Sequence, residues 1–195
     1  MLPVLVALGC GDARSPAATP GDLRGRVLDP PLAKPEAGFT DTEGRSFDLR
    51  AETDGFLTLL FFGYTHCPDV CPVHMANIAA VLKTLPPSIT TRTKVLFVTT
   101  DPGRDTPERL RSWLGGFDPS FIGLSGDTAT LNRTQAALML PPAQIGAADS
   151  AGNYQVGHAA AVVAFTPDGL ARAMYPFGIR QADWAHDLPR LMGGQ

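Results

Sequence analysis

The sequence predicts an α/β protein in which a central mixed sheet is flanked by helices. Residues 57–62 form a run of aliphatic and aromatic side chains that is typical of a strand buried on both faces. A second such run follows at residues 94–100, and the helix-length segment between them predicts a right-handed crossover with parallel pairing. Residues 160–165 and 170–175 flank the turn sequence P-D-G and predict an antiparallel hairpin. The sheet is therefore expected to contain both kinds of pairing.

The other predicted elements are an N-terminal β-hairpin and four helices. In the hairpin, Phe39 lies on one arm and Phe47 on the other, with Glu43 and Gly44 at the turn. Apolar periodicity and end signals predict helices over residues 72–85, 106–115, 128–140 and 181–191.

Two aspartates are expected to cap the middle pair of helices. Asp105 stands three residues before Glu108, which is the spacing of a capping box, and Asp127 precedes the next periodic run. Residues 143–157 show no clear periodicity. We expect a loop there, with a single strand at residues 154–156.

The chemistry of the sequence is concentrated between the first buried strand and its helix. Gly63 ends the strand, and the chain then presents Cys67 and Cys71 in a proline-bounded loop. Strand, thiol loop and helix in this order are the thioredoxin-type arrangement, in which the helix dipole favours a thiolate. The spacing C-x-x-x-C is one residue longer than the C-x-x-C redox signature. The loop after the second strand lies at the same end of the sheet, so its Asp101 and Arg104 are expected to form an ion pair at the rim.

Two prolines decide how the thiol loop is built. Pro72 cannot lie inside a helix that begins at Cys67, because its ring would clash with the carbonyl group of Pro68. Pro72 is favourable as the first helical residue, so we expect Cys71 to cap the helix and Cys67 to remain in the loop. Two thiolates on a stiff bend suit Cu(I) or Zn(II) if a position stays open. A disulfide is the alternative.

Composition bounds the classes of function. A chain of 195 residues with 44% hydrophobic side chains can bury a core, and we predict one domain over residues 23–195. The net charge of -3 disfavours nucleic acid as a partner. No apolar run reaches 18 residues, so no membrane-spanning helix is predicted. Only three cysteines are present, one of them Cys10, which excludes a disulfide-stapled scaffold.

Residues 1–22 are predicted to be separate from this domain. The segment M-L-P-V-L-V-A-L-G-C is apolar and ends in Gly9 before Cys10, as the end of a bacterial lipoprotein signal does. Lipidation of Cys10 would anchor the protein to a membrane; the alternative is an apolar tail with an idle thiol. Residues 11–22 have the composition of a flexible linker.

Four motifs together carry a family resemblance. They are G-Y-T-H-C-P-D-V-C-P, T-D-P-G-R-D-T-P, F-D-P-S-F-I-G-L-S-G, and His158 before a strand that leads to P-D-G. On these motifs the chain resembles the Sco family, also called SenC or PrrC, and the resemblance covers residues 38–191. These are thioredoxin-fold proteins that bind copper and help to build the copper centre of cytochrome c oxidase.

The resemblance implies a ligand set and a location. It implies one copper per chain, as Cu(I) or Cu(II), bound by Cys67, Cys71 and His158. Family members are usually attached to a membrane with the domain outside the cytoplasm, which agrees with a lipid anchor at Cys10. We therefore expect the protein on the outer face of the bacterial cytoplasmic membrane.

Other side chains compete for the ligand positions. His74 would share a face with both cysteines in an unbroken helix, but Pro72 excludes that helix, so we place His158 ahead of His74. The remaining candidates are assigned elsewhere. His66 is expected either to support a ligand from behind or to face solvent, Asp69 and His186 are expected to be exposed, and Met75 and Met139 are assigned to the core.

Two classes of function remain. The first is a copper metallochaperone that delivers copper to, or prepares, the dinuclear copper site of cytochrome c oxidase. Its partners would be the copper-bearing oxidase subunit and another copper chaperone or a thiol reductase. The second is a thiol–disulfide oxidoreductase that acts on extracytoplasmic cysteines through a redox disulfide between Cys67 and Cys71.

The histidine favours the metallochaperone over an enzyme. A redox-only protein would not need an imidazole opposite its thiols, and it would be expected to keep the cis-proline of thioredoxin-like folds. Ala159 and Ala160 occupy that neighbourhood here. A peroxidase is disfavoured because no arginine lies in the loop of residues 67–71.

Overall fold

The computed structural model describes residues 23–193. The predictions for residues 1–22, including the lipid anchor at Cys10, lie outside this range. The strands are β1 (Arg26–Ala33), β2 (Gly38–Asp41), β3 (Ser46–Asp48), β4 (Leu57–Gly63), β5 (Thr93–Thr99), β6 (Ile122–Ser125), β7 (Gln144–Ile145), β8 (Val156–Gly157), β9 (Ala161–Phe165) and β10 (Leu170–Pro176). The helices are α1 (Val70–Leu82), α2 (Pro87–Thr90), α3 (Pro107–Gly115), α4 (Thr128–Ala137) and α5 (Gln181–Leu191).

Eight of these strands form one mixed sheet, in the order β1-β10-β9-β4-β5-β6-β2-β3. The central strands β4, β5 and β6 are parallel, and the other pairs are antiparallel. The predicted crossover and the predicted C-terminal hairpin are both confirmed. Strand β4 lies in the middle of the sheet. The loop that follows its carboxyl end therefore lies at the centre of that edge of the sheet.

Strand β4 divides the core into two halves. All seven of its residues are buried. Leu59 and Phe61 face the half that is covered by α1, α3 and α5, whereas Leu60 and Phe62 face the half that is covered by α4. Alternate side chains of a strand point to opposite faces, so an uninterrupted apolar run is what a strand buried on both sides requires.

The N-terminal hairpin is also confirmed. Phe39 and Phe47 are paired across β2 and β3, and both are buried. Gly44 lies in the turn with a φ of 78°, a conformation that glycine adopts without steric cost. The hairpin extends the sheet by pairing β2 with β6.

Helix α1 begins two residues earlier than expected. Val70 is its first residue and Asp69 its N-cap, so Pro72 is the third helical residue. The first four N–H groups of a helix have no partner within it, and Pro72 therefore sacrifices no hydrogen bond. Cys71 is thus helical, and its N–H donates to the Sγ atom of Cys67 at 3.4 Å. Cys67 remains in the loop, as predicted.

The cap of α3 differs from the expectation. Thr106, not Asp105, is the N-cap, and its hydroxyl accepts a hydrogen bond from the N–H of Arg109 at 3.3 Å. Asp105 turns inward instead and is 3% exposed. The predicted cap of α4 is confirmed, since Asp127 accepts from the N–H of Thr130 at 2.6 Å.

Residues 143–157 are more ordered than the sequence indicated. Strands β7 and β8 pair antiparallel and form a two-stranded ribbon beside the main sheet. The expected strand at residues 154–156 corresponds to β8, whereas β7 was not predicted, because a strand of two residues is too short for a periodic pattern.

Of the two methionines assigned to the core, one is buried and the other is exposed. Met75 is fully buried, as predicted. Met139 is 66% exposed and has a φ of 55°, so its assignment to the core was wrong. It follows the end of α4, where the chain turns while its neighbours Leu138 and Leu140 stay buried.

Candidate metal centre

Three separate elements bring two sulfurs and one imidazole together. Cys67 lies in the loop after β4, Cys71 in the first turn of α1, and His158 directly after β8. The Nε2 atom of His158 is 3.8 Å from the Sγ atom of Cys67 and 3.5 Å from that of Cys71. All three potential ligand atoms lie within 4.8 Å of one another, and both cysteines are free thiols. The structure thus assembles the three residues that the sequence singled out.

The separation of these atoms fits a shared metal ion. Metal–sulfur bonds of about 2.3 Å and metal–nitrogen bonds of about 2.0 Å, at trigonal or tetrahedral angles, put sulfur and nitrogen about 3.5–3.7 Å apart. The observed distances from His158 to the two sulfurs are 3.5 and 3.8 Å. The cluster could therefore hold a metal ion with little rearrangement.

The imidazole of His158 is oriented as an electron-pair donor. Its Nδ1 atom lies 3.1 Å from the carbonyl oxygen of Ala159. A carbonyl oxygen only accepts hydrogen bonds, so Nδ1 carries the proton and the lone pair of Nε2 faces the sulfurs. The rings of Phe61 and Tyr64 meet the imidazole edge-on, with centroids 5.7 and 5.6 Å away. The tautomer and the ring plane are both set by neighbours.

The two thiols are unequal. The hydrogen bond from the thiol of Cys71 holds the pKa of Cys67 well below its usual range, and the N–H of Cys71 adds to this effect. Burial raises the pKa of Cys71, as does its hydrogen bond to Cys67. These opposite shifts in pKa favour a thiolate at Cys67 and a thiol at Cys71 before metal binds. A metal ion that takes both sulfurs must displace the proton of Cys71.

Gly63 makes room for the second sulfur. A Cβ atom at this position would stand 2.7 Å from the Sγ atom of Cys71 and 2.8 Å from the ring of Phe61. A close approach of this kind is possible only without a side chain. The sequence predicted Gly63 only as the end of a strand. Its role in making room for Cys71 was not predicted.

Asp105 anchors the start of the thiol loop. Its carboxylate accepts hydrogen bonds from the N–H and hydroxyl of Thr65, at 2.9 and 2.6 Å, and from the hydroxyl of Thr99 at 2.7 Å. Thr65 in turn accepts from Nε of Arg109 at 2.7 Å. The motif T-D-P-G-R-D-T-P contained Asp105, but the local capping pattern concealed its long-range role.

The predicted ion pair at the rim of the site is present. Arg104 donates through Nε to the carboxylate of Asp101, which is 1% exposed. The hydroxyl of Tyr154 donates to the other oxygen of Asp101 at 2.9 Å. The loop after β5 is thereby tied to the segment that carries His158.

The other histidines lie apart from the sulfurs. His74 is 2% exposed, and its Nε2 atom is 3.3 Å from the carbonyl oxygen of Ala160. His66 is exposed, with Nδ1 3.7 Å from a carboxylate oxygen of Asp105. His186 is half-buried against Asp187, with Nδ1 and Oδ1 2.7 Å apart, so it is not the simple surface residue that was expected. Asp69 is exposed, as predicted.

The family model described as SCO1/SenC matches residues 31–193. The chain belongs to the SCO1/SenC family. This is a family of copper-binding proteins that is linked to the assembly of cytochrome c oxidase. The mixed sheet and flanking helices are its thioredoxin-like fold, so the predicted fold class is confirmed.

Solved structures from the SCO1/SenC family share this architecture. The structure of Bradyrhizobium japonicum ScoI with copper bound is 31% identical in sequence, with a TM-score of 0.72. The match covers 82% of this chain and 99% of ScoI. Apo Sco1 from Thermus thermophilus is 29% identical with a TM-score of 0.76, and the match covers 87% of this chain and 97% of that protein.

Relatives in the SCO1/SenC family differ in length. A Stutzerimonas stutzeri protein named for copper binding is 29% identical over 163 residues, which are 84% of this chain and 78% of that protein. The mitochondrial SCO2 homologue of Bos taurus is 31% identical over 132 residues, which are 65% of this chain and 47% of its own length. The chain therefore spans about half of the mitochondrial relative. Within residues 23–193, no helix has the length and apolar character needed to cross a membrane.

Proposed function

We propose that this protein is a copper metallochaperone that carries one copper per chain on Cys67, Cys71 and His158. The observation behind this proposal is the convergence of two sulfurs and one imidazole nitrogen within 4.8 Å. Thiolate sulfur suits Cu(I) and imidazole suits Cu(II), so the set accommodates both oxidation states. The copper-bound structure of ScoI, at 31% identity, supports the same cargo.

The burial of the ligands suits a carrier that must also release its cargo. Cys71 is fully buried and Cys67 is 9% exposed, whereas His158 is only half-buried. Copper would therefore meet Cys67 and His158 first and engage Cys71 last. A partner that competes for copper can approach from the same open side.

The proposed recipient is the copper-bearing subunit of cytochrome c oxidase, whose dinuclear copper site the protein would supply or prepare. A second copper chaperone would load it, or a thiol reductase would keep Cys67 and Cys71 reduced. Lipidated Cys10, followed by the linker of residues 11–22, would hold the domain at the outer face of the bacterial cytoplasmic membrane. A Bacillus anthracis protein of the same fold is described as a SCO1/SenC family lipoprotein.

Copper stoichiometry tests this function. The fully reduced protein is expected to take up one copper per chain, measured by elemental analysis after removal of unbound metal. Cys67→Ser and Cys71→Ser should each abolish tight binding. Cys10→Ser is the matched control, because it removes a thiol that is not among the proposed ligands. A wild-type protein that retains no copper, or a Cys10→Ser variant that fails equally, would contradict the proposal.

The unequal thiols support a second candidate, a thiol–disulfide oxidoreductase for extracytoplasmic proteins. An ionised Cys67 beside a buried, protonated Cys71 is the arrangement in which one thiol attacks and the other resolves the mixed disulfide. Rapid turnover of disulfide substrates by a protein that binds no copper would favour this function. The two functions share a requirement, since the pair must be reduced before copper can bind.

A further inference from the structure

On its N-terminal side, His158 is carried by a small ribbon that cannot hold its own position, whereas β9 begins three residues after it. The ribbon before it consists of β7 and β8, which contribute two residues each. A two-stranded hairpin of this size is at best marginally stable alone in water. Strand β9 fixes the chain after His158, and before His158 the path of the chain must be set by contacts between the ribbon and the body of the protein.

One of these contacts is a closed triangle of side chains. Tyr154 donates its hydroxyl hydrogen to Asp101 at 2.9 Å, and Asp101 is paired with Arg104. The guanidinium carbon of Arg104 lies 3.5 Å from the ring centroid of Tyr154. Each side chain thus contacts the other two, and the triangle connects the ribbon to the loop after β5.

A second contact connects the ribbon to the thiol loop itself. Tyr64 is the first residue after β4, and its hydroxyl donates to Oε1 of Gln155 at 2.8 Å. The same tyrosine ring meets the imidazole of His158 edge-on. Between Gln155 and His158, Val156 is buried in the core. The ribbon is therefore held both by the loop after β5 and by the start of the thiol loop.

The triangle is not arranged for maximal stability. Asp101 is 1% exposed, and Nη2 of Arg104 is buried without a hydrogen-bond partner among residues 23–193. Burying an ion pair often stabilises a protein less than apolar side chains of the same size would. An incompletely satisfied pair beside a ligand is better explained by positioning than by folding.

We propose that Asp101, Arg104 and Tyr154 form a clamp that positions His158 over the two sulfurs and thereby equips the site for Cu(II). The proposal rests on the proposed copper-carrying function. Cu(I) tolerates coordination by two sulfurs, whereas Cu(II) requires a nitrogen donor in a defined place. Opening the clamp should therefore weaken the binding of Cu(II) selectively. The clamp residues are positioning residues, because none of them has an atom in the ligand cluster.

Tyr154→Phe is the sharpest test, because it removes one hydroxyl group and keeps the ring against Arg104. In the full-length protein we expect Cu(II) affinity to fall about 10–100-fold, the usual effect of residues that orient a ligand, with Cu(I) affinity changing less than about tenfold. Tyr175→Phe is the matched control: its hydroxyl also donates to an aspartate, Asp187, at 2.9 Å. That variant should lose stability without altering the ratio of the two affinities.

A measurement without metal separates this inference from the function itself. In the reduced, metal-free protein, amide hydrogen exchange of residues 154–158 should be faster in Tyr154→Phe than in wild type and unchanged in Tyr175→Phe. If wild type binds no copper, the proposed function fails, while the exchange data still test the clamp. Unchanged exchange and unchanged Cu(II) affinity in a folded Tyr154→Phe protein would overturn the clamp. An equal loss of affinity for Cu(I) and for Cu(II) would overturn the clamp as well.

Discussion

Gly63→Ala is the substitution whose effect on the metal centre can be worked out most directly. The new methyl group would stand 2.7 Å from the Sγ atom of Cys71, whereas ordinary contact begins at 3.4 Å, so the sulfur must retreat by about 0.7 Å. Retreat of the methyl group instead is blocked by Phe61 and Phe97, whose ring atoms would be 2.8 and 3.1 Å away. Metal ligands must usually be held within about 0.5 Å of their productive positions.

Two quantities should change together in this variant. Overpacking of a buried site lowers the free energy of unfolding by about 1–3 kcal/mol, which urea denaturation of the metal-free protein measures. The affinities for Cu(I) and for Cu(II) should both fall at least about tenfold, because Cys71 is proposed to bind both ions. Gly38→Ala is the control, since a Cβ atom there would meet nothing within 4 Å. A Gly63→Ala protein with wild-type stability and wild-type copper affinity would refute the reasoning.

Three further predictions address the ligand set, the loop anchor and the membrane. In competition titrations, His158→Ala should keep most of its affinity for Cu(I) and lose most of its affinity for Cu(II). His74→Ala should change neither affinity by more than about tenfold. The reverse pattern would show that His74, and not His158, is the nitrogen ligand. Asp105→Asn leaves one carboxamide oxygen for the three hydrogen-bond donors of Thr65 and Thr99. The free energy of unfolding, measured by urea denaturation, should fall by about 2–3 kcal/mol. Unchanged stability would argue against Asp105 as the anchor of the thiol loop. Cys10→Ser should move the protein from the membrane fraction to the soluble fraction; membrane association that survives the substitution would exclude lipidation as the anchor.

Prediction from the sequence succeeded where the determining pattern is local. The apolar run of β4 predicts a strand buried on both faces, because the polarity of successive side chains indicates which faces of a strand are buried. The proximity of Cys67 and Cys71 is likewise a local matter, because four residues around a helix start cannot move far apart. Pro72 predicted the first residue of α1 to within two residues. The expected pairing of Asp101 with Arg104, three residues apart, belongs to the same class.

Prediction failed where a distant partner overrides a local preference. Asp105 has the spacing of a helix cap, yet three hydrogen bonds from Thr65 and Thr99 draw its carboxylate into the interior, and Thr106 takes over the cap. Met139 has an apolar side chain, but the turn after α4 directs it to solvent.

The sequence by itself determined the kind of chemistry, two thiols at a helix start behind a central strand, and, through its motifs, the family. Only the tertiary structure decided that the Nε2 atom of His158 stands 3.8 Å from a sulfur that is 91 residues away along the chain. It also decided that Gly63 leaves room for Cys71 and that Tyr154 ties the ribbon to Asp101. The physical reason is that side-chain periodicity encodes which face of an element is buried, whereas a ligand cluster depends on how separate elements pack. That packing is a property of the whole sheet, and no single segment of the sequence contains it.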